Sequence, residues 1–192
     1  PHPTLQSIIF TPNDWHILRK CPTPVMMVKE HDWPTKGKII AAIHAGAEDE
    51  EHHKLNQKIA QETKDLSKLL DAEIHIVTAY PSAPVNIAIE LPDFDPLKYN
   101  QNVMEFHKKA LDKFVDEQFE QAVTKHLEEG LPDDVIPDVA SQIQAEIVIL
   151  GTSGRSGFSA ALIGNTAEHV IDQLDCDLLA LKPHDFVSPF EK

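Results

Sequence analysis

Glycines raise the first chemical question. In the stretch ILGTSGRSGFSAALIGNT (149–166), Gly151, Gly154 and Gly157 stand three apart directly after an apolar run, and Gly164 precedes a helical pattern. Glycine lets backbone N–H groups come close to an anion, and a helix start adds free N–H groups at the positive end of its dipole. Phosphate binding is the chemistry this suits. A P-loop is excluded, because no Gly-Lys-Ser/Thr follows the spacer, and the fingerprint G-x-G-x-x-G fails at Ser153. The hydrolase elbow G-x-S-x-G also fails, since Gly154 follows Ser153 directly. What remains is G-x-x-G, nine residues, and Gly164. Arg155 inside this loop suits a phosphate, an acidic partner or solvent.

A second set of candidates is histidine-rich. His44 closes the apolar run KIIAAIHAG (38–46), at the mouth of the sheet if that run is a buried strand, where it can meet a ligand or bond to backbone. Glu50, Glu51, His52 and His53 are metal-ligating types, but consecutive helical residues point in different directions. They read as a solvated helix start, and no metal is expected. The apolar segment Val85–Leu91 either covers the core or lines a pocket, covering being the safer reading.

These residues must be positioned by regular elements. Residues 38–46, 73–80, 146–151 and 176–183 are short apolar runs of the kind found in strands buried on both faces. Helical spacing of Leu55, Ile59, Leu66, Leu69 and Leu70 predicts a helix over 48–72. Val103, Phe106, Leu111, Phe114 and Val115 predict another from about Tyr99 to Gln118. Residues 130–145 and 165–175 supply two more, with Pro132 suited to a first turn and Pro137 less comfortable. Residues 122–130 are ambiguous: their charge suits a helix, while the alternation of elements asks for a strand. Strands alternating with helices mean a parallel sheet, and right-handed crossovers make it doubly wound. The fold class is α/β.

Composition narrows the function. The formal net charge of the 192-residue chain is -14, which excludes nucleic acid and anionic membrane as expected partners, since both recruit basic faces. Two cysteines, Cys21 and Cys176, offer neither a disulfide framework nor metal spacing, so a reducing cytoplasm is the expected setting. No signal peptide or membrane-length apolar stretch is present in the sequence.

The first thirty residues repeat the end of the chain. PNDWHILRKCPTPVMMVK (12–29) aligns without a gap with NTAEHVIDQLDCDLLALK (165–182), their terminal lysines 153 positions apart (182 − 29 = 153). This reads as the last helix and strand of a preceding copy, residues 1–30, then a linker at 31–37, a domain at 38–184 and a tail at 185–192. The start at Pro1 fits an excised piece of something longer. An edge strand needs cover, so Val25–Val28 are expected beside Leu178–Leu181, antiparallel, within one chain or exchanged between two.

The spacing Gly151, Gly154 and Gly164 and the run GLPDDVIPDVA resemble the universal stress protein family, in its tandem type, over residues 36–183. The resemblance implies a five-stranded parallel sheet in the order 3-2-1-4-5 with helices on both faces. It also implies a cytoplasmic stress-response role, a homodimer or tandem pseudo-dimer through the final strand, and a site for ATP or another adenine nucleotide, with Mg if ATP. The implied contacts are His44, Gly151, Ser153, Gly154, Arg155, Gly164, Asn165 and Thr166. Two positions depart from the ATP-binding pattern. His44 stands where relatives carry an aspartate, and Asn165 where they carry Ser or Thr after the last glycine. A weakened affinity for ATP is expected. An enzyme, at most a slow ATPase, finds no catalytic base or nucleophile elbow in the sequence. A non-nucleotide interaction protein, or a binder of a more apolar ligand through 85–91, is the alternative.

Overall fold

The computed structural model describes residues 12–83, 95–152, 165–184 and 186. In chain order these residues form α1 (Pro12–Lys20), β1 (Val25–Met27), β2 (Lys38–Ala42), α2 (Glu50–Leu70), β3 (Glu73–Tyr80), α3 (Pro96–Gln118), β4 (Thr124–Glu129), α4 (Pro132–Ile143), β5 (Ile147–Gly151), α5 (Asn165–Gln173) and β6 (Asp177–Leu181). They build one six-stranded sheet in the order β1-β6-β5-β2-β3-β4. Five strands are parallel, and β1 pairs antiparallel with β6. The five parallel strands take the expected order 3-2-1-4-5 as β4-β3-β2-β5-β6, and the N-terminal strand adds the expected antiparallel sixth beside β6.

Strand side chains alternate between faces, so an uninterrupted apolar strand feeds two cores. Ile39, Ala41 and Ile43 meet Leu55 and Ile59 of α2 and Leu111 of α3 on one face. Ile40 and Ala42 face the opposite way, toward Val139 of α4, Val170 and Ile171 of α5, and Leu18 of α1. Helices therefore cover both faces.

Several local expectations are revised. The inner face of α2 continues through Thr63 and Ser67 while Leu69 is exposed. Both hydroxyls are satisfied, Thr63 Oγ1 donating to the Ile59 carbonyl at 2.7 Å and Ser67 Oγ to that of Ala72 at 2.6 Å. Helix α3 starts three residues before Tyr99. Asp95 caps it, accepting from the N–H groups of Leu97 and Lys98, and Pro96 fills the first turn where no intrahelical N–H is needed. Within α3, Phe106 is 50% exposed and its neighbour His107 only 8%, so the imidazole takes the inner position expected for the phenyl ring. The ambiguous 122–130 segment contains β4. Its TKHLEE sequence is a poor strand former, but six residues pair in register with His75–Tyr80, and that ladder decides. Pro137 is buried inside α4, where it forgoes one helical hydrogen bond.

The N-terminal helix and strand dock onto the domain within this chain. Val25 pairs with Ala180, Met26 with Leu179 and Met27 with Leu178. Under the 153-residue offset, Met26 is equivalent to Leu179, so the pairing is symmetric about those two residues. Polar contacts pin the segment further. Asp177 accepts from the Lys29 N–H at 2.7 Å and lies 3.1 Å from His31 Nε2; Lys29 Nζ donates to the Leu174 carbonyl. Arg19 reaches Glu168 at 2.6 Å.

Candidate functional site

Parallel strands share a direction, so their carboxyl ends line one edge of the sheet. The chain leaves β2 for β3 through α2 on one face, and leaves β5 for β6 by way of α5 on the other. Since β2 and β5 are neighbours, connections diverge to opposite faces at their boundary and leave a crevice there, the usual ligand position in such sheets. Ala42 pairs with Leu150. His44 and Gly151 therefore stand at adjoining strand ends on this boundary.

The loop carrying His44 is held by side chains from two elements. Asn56 of α2 is buried, accepts from the His44 N–H at 3.2 Å, and donates to the His44 carbonyl at 2.9 Å. Thr78 of β3 accepts from the Ala45 N–H at 3.3 Å. The backbone is fixed, while the His44 side chain is exposed. Its ring meets that of His52 edge to face at 5.4 Å. Asp49 caps α2, accepting from the His52 N–H at 2.9 Å, and its carboxylate lies 2.7 Å from His52 Nδ1.

His107 completes the group from α3. It packs so closely on Gly46 that a Cβ there would lie 2.3 Å from the ring's Cε1. Its Nδ1 is buried with no hydrogen-bond partner among the described residues, and its ring tilts against Tyr80 at 6.1 Å. Burial holds the His107 pKa below the ordinary histidine range. Burial also lowers that of His44, with help from His52 and His107 and opposition from Asp49. Both rings are therefore predominantly neutral at neutral pH.

At the other side of the boundary, Gly151 ends β5. A Cβ on Gly151 would lie 2.3 Å from Leu55 Cδ2, so this glycine admits α2 to the sheet. Thr152 is buried, with its N–H and hydroxyl both donating to the Leu181 carbonyl, at 2.8 and 3.1 Å. These bonds fix the point where the glycine stretch departs. Asn165 is the first residue of α5, and Thr166 is exposed in its first turn. Ser153, Gly154, Arg155 and Gly164 lie outside the described residues, as does Val85–Leu91.

Among the described residues, no group of three or more His, Cys, Asp or Glu stands where it could hold a metal ion. Glu50 instead pairs with Lys54 at 2.8 Å. Two residues of this edge escaped the sequence reading. His107 was legible from its spacing of four from both Val103 and Leu111. Lys182, beyond β6, is buried with no hydrogen-bond partner for Nζ among the described residues, 4.9 Å over the Phe186 ring, and burial lowers its pKa to about 8.

Fold and edge together define a doubly wound α/β domain with its crevice at the central switch point. The model of the universal stress protein family matches residues 45–182, and the chain belongs to that family. It is 50% identical over 193 residues to universal stress protein E of Salmonella typhi and to that of Escherichia coli K12, covering 99% of this chain in both cases. The match spans 61% and 60% of those relatives, so the chain is about three-fifths of their length. The crystal structure of a functionally unknown protein from Pseudomonas aeruginosa PAO1 superposes with a TM-score of 0.78 at 35% identity. It covers 97% of this chain and 61% of the other. No helix of the described residues is long and apolar enough to cross a membrane.

Proposed function

We propose that this chain is a regulatory binding module of a cytoplasmic stress response, taking an adenine nucleotide at the carboxyl edge of its sheet. ATP with Mg is the first candidate. The observation that carries this reading is the crevice at the β2–β5 boundary, with His44 at one strand end and the glycine spacing leaving the other toward α5. In this reading backbone N–H groups near Gly154, Asn165 and Thr166 hold the phosphates, and His44 faces the nucleoside. A chain of net charge -14 offers an anion no long-range attraction, so local N–H groups must do the holding. The test is calorimetric titration with Mg-ATP of the parent and of Gly154→Val. Binding by the parent, lost in the variant at unchanged melting temperature, is expected. Equal binding by both would remove the glycine loop from the site; no binding by the parent would remove the nucleotide.

For assembly, we propose that α1 and β1 belong to a preceding copy of the same fold, in a tandem pseudo-dimer joined through β1 and β6. The symmetric register about Met26 and Leu179 supports this. Ile17, Met26 and Val28 are exposed beside an apolar groove of about 270 Å³ that a preceding copy would cover. Sedimentation of the 192-residue chain tests the arrangement. A monomer–dimer equilibrium weakened by Met26→Lys is expected of an uncovered face, and a monomer at high concentration would count against it.

A further inference from the structure

The histidine group lends the crevice a property that the nucleotide reading does not itself require. His44 from the β2 loop, His52 from α2 and His107 from α3 converge on one edge of the sheet, with rings of His44 and His52 5.4 Å apart. The titratable and charged groups acting on His44 among the described residues are His52 and Asp49 from α2 and its cap, and His107 from α3. Asp49 is engaged with His52, both through its backbone N–H and through its ring. His107 is enclosed, with no described acceptor at Nδ1 to welcome a second proton. His44 alone of the three combines an exposed ring with a place directly at the strand end.

We infer that nucleotide binding in this crevice is coupled to uptake of one solvent proton by the His44 imidazole, so that the chain holds an anion more tightly as the pH falls. The inference rests on the crevice being the nucleotide site. An anion placed beside His44 favours imidazolium over imidazole, and by linkage imidazolium favours the anion to the same extent. One proton per ligand limits the effect to about tenfold in affinity per pH unit. No charge is created or lost beyond that proton: the ring gains it at a free nitrogen, and the anion keeps its own ionisation. The chain thereby reads acidification and nucleotide level at one place, the two signals reinforcing each other.

The test follows the His44 ring proton by NMR through a pH titration of the 192-residue chain, with and without saturating Mg-ATP, the resonance being assigned by its loss in His44→Gln. Bound ATP is expected to raise the His44 midpoint by about one pH unit, equivalent to about tenfold tighter binding to the protonated form. Binding with an unmoved or lowered midpoint would overturn the coupling and leave the nucleotide site standing. ATP that moves no resonance at any pH would overturn both. Calorimetry in two buffers of different ionisation enthalpy gives an independent reading. The parent should take up a fraction of a proton more than His44→Gln, a comparison in which the nucleotide's own titration cancels; equal uptake would again overturn the coupling.

Discussion

Two groups of histidines sit apart on this sheet, one inside the β3–β4 ladder and one at the carboxyl edge beyond β2, and they solve the same problem in different ways. Within the β3–β4 ladder, His75 of β3 and His126 of β4 stack at 5.2 Å, with His75 Nδ1 2.9 Å from His126 Nε2. A ring-to-ring bond needs one donor and one acceptor, so the accepting ring must be neutral. Burial lowers both pKa values, and for His75 the neighbouring His126 and Lys38 add to the effect. His75 Nε2 is buried with no partner among the described residues, which favours the tautomer with the proton on Nδ1, donating to His126 and leaving only an acceptor orphaned. Toward the carboxyl end, His44 meets His52 edge to face and keeps its exposed edge open. One group spends its hydrogen-bonding capacity on itself and serves the fold. The other leaves capacity over, and that is what a ligand site requires.

The comparison breaks most sharply at Gly46. Adding a methyl group there drives Cβ into the His107 ring, so Gly46→Ala is expected to cost about 1–3 kcal/mol of stability. A double-mutant cycle by urea unfolding checks the cause, because His107→Ala should cost less in the Gly46→Ala background than in the parent. Additive costs would mean that the ring does not pack against this loop.

In the ladder, His75→Ala is expected to cost about 2 kcal/mol, through a cavity and the loss of the partner of His126. ATP affinity should be unaffected. An equal fall in affinity and stability would show that the two groups are one cooperative unit and that the division drawn between them is false.

Much of this arrangement was legible from the residues. Strands β2, β3 and β5 announced themselves because apolar residues on consecutive positions feed two cores, and the repeat of 165–182 in 12–29 foretold the antiparallel partner of β6. Long-range contacts decided the rest. Gly151 reads as a phosphate-loop glycine, yet the atoms that forbid a Cβ there belong to Leu55, far away in the chain. Thr124–Glu129 carries too much charge to be recognised as a strand until β3 supplies its ladder. His107 lost its place to Phe106 because hydrophobicity outranks an imidazole in pattern reading, although the spacing to Leu111 favours the histidine.

Acid provides a weaker but broader probe. The pKa values of His44, His75, His107 and His126 are all lowered in the folded chain. The unfolded chain therefore takes up protons first. Stability should be full above the ordinary histidine range, near about pH 6.5, and should fall as the pH drops below it toward the lowered folded values. Each proton contributes a slope of at most about 1.4 kcal/mol per pH unit. Each lowered ring contributes, so His44→Gln and His75→Ala should each flatten the profile. Urea unfolding across the range measures both, and a flat parent profile would mean that these rings are not held neutral by the fold.

The smallest expected effect is at Asp49, and it joins the two arguments about His44. Its carboxylate is held below the ordinary range chiefly by the His52 N–H bond of the helix cap, and then by the His52 side chain. Asp49→Ala removes the cap from α2, for about 1 kcal/mol at most at so exposed a site. It also removes the single influence among those acting on His44 that raises its pKa. The His44 midpoint in the NMR titration should therefore move down. Asp49→Asn retains a capping oxygen without the charge, so it should recover most of the stability and none of the midpoint. If both variants restore or lose the two properties together, the cap acts on His44 by holding the start of α2 in place, and the Asp49 charge is irrelevant to the crevice.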